Sequence, residues 1–302
     1  MGVLVRSGWS YAATRARTRR ASLIDPLRFR QILHQGPEQI ATSIADAGYR
    51  EHIDLYASRL SGSDLIEAAL QHGLDQDISN VLSFCDSKLR KLVEVYSNRL
   101  EADRLHTVLR SVAEGLTSEE VGLSALPREN PLNSKWLALI DNCESLADIA
   151  QNLSPGYKQT ALRRLPPTSS LREYEDAIDS AFIRNAIEQT SGNESSVKVL
   201  RKVFQHQADK QNIINLLRAH RQGISSEVRK SMIVDGGLYL KSANLSQVVA
   251  AEDREIMLQR LANVNGIDYA GLEAAIKKSD ELKTLDPVVR WASERSESLM
   301  KR

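Results

Sequence analysis

Apolar residues in this chain recur at helical spacing. Leu92, Val95 and Tyr96 form one i, i+3, i+4 cluster and Leu105, Val108 and Leu109 form another, a spacing that puts each cluster on a single helical face. Leu200, Val203 and Phe204, then Ile213, Leu216 and Leu217, repeat both clusters further along. At about 100° per residue the two clusters of a pair point to different sides, so each segment is either buried on both sides or broken between them. The same period predicts helices over 29–35, 38–47, 63–72, 137–141, 145–153, 170–187, 253–262 and 270–278, with Ser63 and Ser170 as N-caps. No alternating strand pattern accompanies them. Gly36-Pro37, Leu126-Pro127, Asn130-Pro131, Ser154-Pro155-Gly156, Pro166-Pro167 and Gly236-Gly237 supply the loops. The expectation is an all-α protein.

The recurrence has a fixed offset. Gly48-Tyr49 returns as Gly156-Tyr157 and Glu67 as Glu175, 108 residues later, and Leu109-Arg110 returns as Leu217-Arg218. Gly115-Leu116-Thr117-Ser118-Glu119 likewise returns as Gly223-Ile224-Ser225-Ser226-Glu227. A constant register over about 70 positions means two tandem copies of one structural unit, because loops drift in length more readily than packed elements. A looser third copy carries Gly266-Ile267-Asp268-Tyr269, with an insertion that moves the offset from 108 to 112, and ends in a helix through Trp291. The turn tyrosines Tyr49, Tyr157 and Tyr269 mark three units, read as domains at 1–115, 116–223 and 224–302.

Composition narrows the function. Forty basic and thirty-nine acidic residues leave a formal charge of +1, which removes a global electrostatic case for nucleic acid or anionic lipid. With 42% hydrophobic residues but only four Phe and three Trp, the core is aliphatic. No apolar run reaches the roughly 18 residues of a membrane-spanning helix, so membrane association has to pass through a partner or a surface contact. Cys85 and Cys143 fall at unrelated points of the repeat, which reads as a reducing compartment without a disulfide framework. Residues 1–24 carry Arg6, Arg15, Arg17, Arg19 and Arg20 and no acid before Asp25. That composition fits an organellar transit peptide, but a basic first helix closed by Asp25-Pro26 is the preferred reading. Met1-Gly2 is no myristoylation site, since Arg6 stands where Ser or Thr is needed.

Catalytic chemistry is hard to assemble from these residues. None of the six histidines has a His or Cys three or four residues away, so no helical metal pair forms locally. Phosphate-cradling glycine motifs and the nucleophile elbow are absent. Asp75-Gln76-Asp77 with Asn80 resembles the start of a calcium loop, but Asn80 and Asp86 occupy the positions of the obligatory Gly and Glu. Helix capping and solvation are the expected roles there. Glu67 and Glu175 are kept by the repeat without a repeated His, Ser or Cys beside them, so each reads as a structural carboxylate for an Arg or a backbone amide. Arg110 and Arg218 are either arginines reaching such a carboxylate or charges offered to a partner. The arginines Arg15, Arg17, Arg19 and Arg20 lack interleaved aromatics, which favours a protein contact or a solvated face over nucleic acid.

These residues together resemble the C subunit of the archaeal and bacterial A/V-type rotary ATPases, the counterpart of the d subunit of the eukaryotic V-ATPase. The resemblance lies in Tyr11-Ala12-Ala13-Thr14-Arg15-Ala16-Arg17 leading to Leu23-Ile24, in the Gly-Tyr turns, in Asn212-Ile213-Ile214-Asn215-Leu216-Leu217-Arg218, and in the closing segment from Trp291 to Arg302. It spans nearly the whole chain, with a departure at Glu101-Ala102-Asp103-Arg104-Leu105. It implies three similar helical domains in a pseudo-threefold funnel. That body would be a non-enzymatic central-stalk part of a proton- or sodium-translocating ATPase, without cofactor or metal, seated on the membrane rotor ring and receiving the rotor shaft. Its place would be cytoplasmic and peripheral on the membrane, held by protein partners, with no nucleic acid or small-molecule substrate. Arg15, Arg17, Arg110 and Arg218 are the candidate partner contacts, and Gly48, Tyr49, Gly156, Tyr157 and Tyr269 the structural turn positions. A soluble helical adaptor binding a partner in the groove between repeats is the alternative.

Overall fold

The structure is a computed structural model that describes residues 8–300. Residues 1–7, which hold Met1-Gly2 and Arg6, and residues 301–302 lie outside the described residues. Every regular element among the described residues is helical. The basic opening segment is α1 (Gly8–Ala21), and three rows of helices follow in one order. The first row is α2 (Pro26–Ile32), α3 (Pro37–Ile44), α4 (Arg50–Tyr56), the long α5 (Gly62–Phe84) and α6 (Ser87–Glu114), and the short α7 (Ser118–Val121). The second is α8 (Ser134–Asp141), α9 (Leu146–Asn152), α10 (Tyr157–Leu162), α11 (Leu171–Gln189), α12 (Ser195–Arg221) and α13 (Ser226–Ser231). The third is α14 (Ser242–Val249), α15 (Arg254–Ala262), α16 (Tyr269–Leu282) and α17 (Asp286–Met300).

The rows open at Pro26, Ser134 and Ser242, so the 108-residue offset holds twice at the first helix of each row. It also holds from Leu146 of α9 to Arg254 of α15, and the slip to 112 first appears at Tyr269 of α16. The insertion therefore lies between the start of α15 and the start of α16, where both the helix and the loop that follows are longer than in the second row. Repeat row and packing unit are different things. The chain packs as two compact units, Met1–Glu175 and Asp176–Arg302, and the division falls inside α11.

The two long helices of each strict copy run without a break. Leu105, Val108 and Leu109 are fully buried in α6, and Val95 is nearly so. Ile213, Leu216 and Leu217 are buried in α12 together with Val203 and Phe204. In α12 both apolar faces find cover, while in α6 Tyr96 of the first cluster stands 48% exposed, so each helix is unbroken but only the second copy is buried on two sides. Each fully buried aliphatic or aromatic side chain contributes about 1.5–3 kcal/mol relative to exposure.

Sequence punctuation sets the ends. Asp25 accepts from the backbone N–H of Leu27 and Arg28, so Asp25-Pro26 opens α2 as well as closing the basic segment. Gly115 and Gly223 both adopt left-handed backbone, at φ 71° and 66°. In each case the next residue's N–H returns to a carbonyl five residues back, Leu116 to Ser111 and Ile224 to Ala219, both at 2.9 Å. This arrangement satisfies carbonyls left free at a helix end and explains why the repeat keeps glycine there. Ser170 caps α11 through a reciprocal pair with Glu173, whose carboxylate accepts from Ser170 N–H at 2.7 Å. Ser63 is not a cap; it lies inside α5, which is preceded by Ser61.

One expectation about polar residues is corrected. Asp75 is 3% exposed and forms an ion pair with Arg104, itself 6% exposed, in place of capping or solvating a helix. Asn130 donates to the same carboxylate at 2.5 Å, Asn133 accepts from Arg104 Nε at 2.9 Å, and Asn133 donates in turn to the Pro127 carbonyl at 3.0 Å. The network ties α5 and α6 to the loop that leads into the second row. Asp77, two residues on, is partly exposed and pairs with Arg19 of α1 at 2.5 Å.

Candidate functional site

Several of the candidate residues lie on exposed surface. Residues 21–31 are exposed except for a partly covered Ile24, and Ile32 is the first buried residue of that stretch. Leu23, Leu27, Phe29 and Leu33 stand 51%, 63%, 52% and 61% exposed, interspersed with Arg28 and Arg30. The corresponding helix of the second row, α8, buries Trp136, Leu137, Leu139 and Ile140. Phe29 and Leu137 are repeat equivalents, yet Leu137 is only 7% exposed. At Phe29 the first row thus presents an apolar side chain where the second encloses its equivalent, and large exposed apolar groups in one segment mark an interaction surface. The periodicity over 29–35 gives the helix without its exposure.

Arg15 and Arg17 lie on α1 beside this segment in sequence, and both are exposed. Arg15 places its guanidinium 5.7 Å from the Phe84 ring centroid, a cation–π distance. The two repeated arginines have separate settings. Arg110, 59% exposed, donates from Nε to Glu175 Oε1 at 2.6 Å, so one repeat-kept residue meets another. Arg218 is partly buried in the last turn of α12, where a cation complements the helix dipole.

The Gly-Tyr turns share a tyrosine role more than a glycine role. Gly48 has φ 108° in the π-helical step Ala45–Tyr49 that joins α3 to α4. Gly156 is close to extended and precedes α10, while in the third row Asp268 caps α16 ahead of Tyr269. Burial pushes all three tyrosine hydroxyls up, helped by Asp77 at Tyr49, Glu101 at Tyr157 and Glu273 at Tyr269. Tyr157 rises to about 12. These rings are packing anchors that stay neutral.

Spacing along the chain also could not show that His52 and His72, from α4 and α5, bring their ring centroids to 5.2 Å. Tyr56 Oη and His72 Nδ1 share a hydrogen bond of 2.9 Å. Burial, then the neighbouring His52, lowers the His72 pKa and favours neutral imidazole. Among the described residues no group of three or more His, Cys, Asp or Glu is placed to hold a metal ion.

The comparison with known proteins is decisive over almost the full length. The family described as ATP synthase (C/AC39) subunit matches residues 12–300. The chain belongs to that family. Within it, the C subunit of the A-type ATP synthase of Haloferax volcanii is 25% identical over 247 residues, covering 80% of this chain and 70% of its own. That of Halobacterium salinarum is 24% identical over 284 residues, covering 91% and 80%. That of Halorubrum lacusprofundi is 23% identical over 308 aligned residues, covering 95% and 88%. The C/AC39 match begins at Ala12, inside α1, and ends with α17, so it takes in all three rows of helices.

Proposed function

We propose that the chain is the non-catalytic central-stalk subunit of a V/A-type proton- or sodium-translocating ATPase, a socket that couples the rotor shaft to the membrane rotor ring and transmits torque. The observation that carries this reading is the family match from 12 to 300, with relatives named as the C subunit of A-type ATP synthases. In it, residues 1–115, 116–223 and 224–302 act as three similar domains of a pseudo-threefold funnel. The chain works at the cytoplasmic face of the membrane and is held there by protein partners. No helix among the described residues is long and apolar enough to cross a membrane.

The exposed segment 23–33, flanked by Arg15 and Arg17, is assigned to a protein partner. Covering its four apolar side chains would contribute at about 25 cal/mol per Å² removed from water, and the adjacent guanidinium groups would orient the contact toward carboxylates. Arg110 supports the same role, because Glu175 takes its Nε–H and the side chain still stands 59% exposed. Arg218 is assigned with it. Deletion of the chain in its own cells tests the coupling role. ATP hydrolysis by the catalytic head should persist while ion pumping is lost, and retention of pumping would contradict the reading.

A further inference from the structure

The repeat sets the same pair of features side by side twice, and the two places differ in one respect. Glu101 of α6 and Asp209 of α12 are equivalent positions, each near the next row's Gly-to-Tyr segment. At Asp209 the place is filled. Its carboxylate accepts from the backbone N–H groups of Leu238, Tyr239 and Leu240 at 3.0, 2.8 and 3.0 Å. The hollow beside it, walled by Tyr239, Ile267 and Trp291, holds only about 10 Å³.

At Glu101 the place is open. Lys135 Nζ bonds both carboxylate oxygens at 2.9 and 2.8 Å, and Lys158 Nζ stands 3.6 Å away. Beside them lies a cleft of about 300 Å³, walled by Trp136, Leu139, Leu153, Pro155 and Tyr157. That volume is at the lower end of the range, about 300–1,000 Å³, of small-ligand sites. Two wall residues carry donors without acceptors. Trp136 is 3% exposed and its indole N–H has no partner, and the buried Tyr157 hydroxyl has none either. An orphaned buried donor costs about 1–3 kcal/mol, and native proteins carry few of them.

The chemistry of the cleft selects its occupant. Two ammonium groups against one carboxylate leave a single positive charge, and both lysines sit on the Trp136 ring, with Nζ 4.8 and 5.8 Å from its centroid. Lys158 is 14% exposed in its side chain, against 60% for Lys135. The two buried groups without a partner, the Trp136 N–H and the Tyr157 O–H, can both donate, and with the net positive charge they favour an occupant that offers acceptors and negative charge, while Leu139, Leu153 and Pro155 call for a hydrocarbon body. We propose that this cleft is a binding site for an apolar carboxylate, received by Lys158, the Trp136 N–H and the Tyr157 O–H. A free aryl-alkanoic acid and the C-terminal residue of a polypeptide partner share that chemistry.

Isothermal titration calorimetry on the full chain tests the site with 3-phenylpropionate, with N-acetyl-glycyl-phenylalanine, and with the C-terminal amide of that peptide. Saturable binding of at least one acid, no binding of the amide, and a loss of about tenfold or more in both Tyr157→Phe and Lys158→Met is the expected result, tenfold being about 1.4 kcal/mol. Tighter binding of the small acid assigns a free organic acid, and tighter binding of the peptide assigns a polypeptide terminus. Tyr157→Phe should keep or raise Tm, since its hydroxyl has no bond to lose, so weakened binding in that variant is not a folding defect. Absence of saturable binding by both acids, or binding that Tyr157→Phe and Lys158→Met leave unchanged, overturns the proposal.

Discussion

Arg110 of the first copy and Glu175 of the second are bonded to each other, Nε to Oε1, at 2.6 Å. Each is a residue that the 108-residue repeat keeps, in α6 and α11 respectively. The pair explains part of that retention as a strap within the compact unit Met1–Glu175. Its energetic weight is small, because Arg110 is 59% exposed and Glu175 21%. A double-mutant cycle with Arg110→Ala and Glu175→Gln should give a coupling of about 0.2–1 kcal/mol, reduced in high salt. A coupling well above that range would mean the pair is shielded from solvent.

The buried pair behaves differently. Asp75 and Arg104 are 3% and 6% exposed and share Asn130 and Asn133 as partners. Removing one charge strands the other, at a cost of about 3–5 kcal/mol. Urea unfolding of Asp75→Ala and of Arg104→Met should show losses of that size. The combination Asp75→Leu with Arg104→Met should recover much of the loss, and additive losses in the double variant would contradict this view of the network.

Glu101 gives a pH dependence with a definite sign. Burial pushes its carboxyl up, but the Lys135 hydrogen bond and the charges of Lys135, Lys158 and Arg104 together outweigh burial and hold it below the usual value of 4.5. The folded state therefore binds fewer protons at this site than the unfolded chain does. Its contribution to stability is present above the ordinary glutamate value and is lost as pH falls through the depressed one. The stability gap between wild type and Glu101→Gln should be largest near neutral pH and close on acidification below about 4.5, read by urea unfolding at several pH values. A gap that widens on acidification would reverse the assignment.

Leu27 and Phe29 separate binding from stability. Both are more than half exposed, so Leu27→Glu with Phe29→Glu should shift unfolding by no more than about 0.5 kcal/mol per site. The same pair of substitutions should release the chain from its membrane complex. A folded double variant that stays bound would remove residues 23–33 from the docking surface.

Much of the fold is legible in the sequence because the signals that carry it are local. Helical spacing at Leu105, Val108 and Leu109, and again at Ile213, Leu216 and Leu217, specifies packed faces wherever those faces meet cover. Gly115 and Gly223 repeat because a left-handed helix end favours glycine. The short α7 and α13, at four and six residues, carry too little pattern to read, while α14 does hold the i, i+3, i+4 spacing at Leu245, Val248 and Val249. Asp75 looks like a solvated or capping residue in sequence because its partners lie 29 and 55 residues away, at Arg104 and Asn130. No local period reports a tertiary ion pair. Exposure of Leu27 and Phe29 is invisible for the same reason, since an apolar residue in a short helix looks alike whether covered or bare. Trp136 and Tyr157 become a site only where the fold leaves their donors without acceptors.

The central claim is membership of a working rotary assembly, and affinity isolation of the tagged chain from detergent-solubilised membranes tests it most directly. Mass spectrometry of the eluate should identify the catalytic-head, shaft and membrane-ring subunits of one rotary ATPase in constant proportion to the chain. An eluate that holds the folded chain without those subunits would contradict the account.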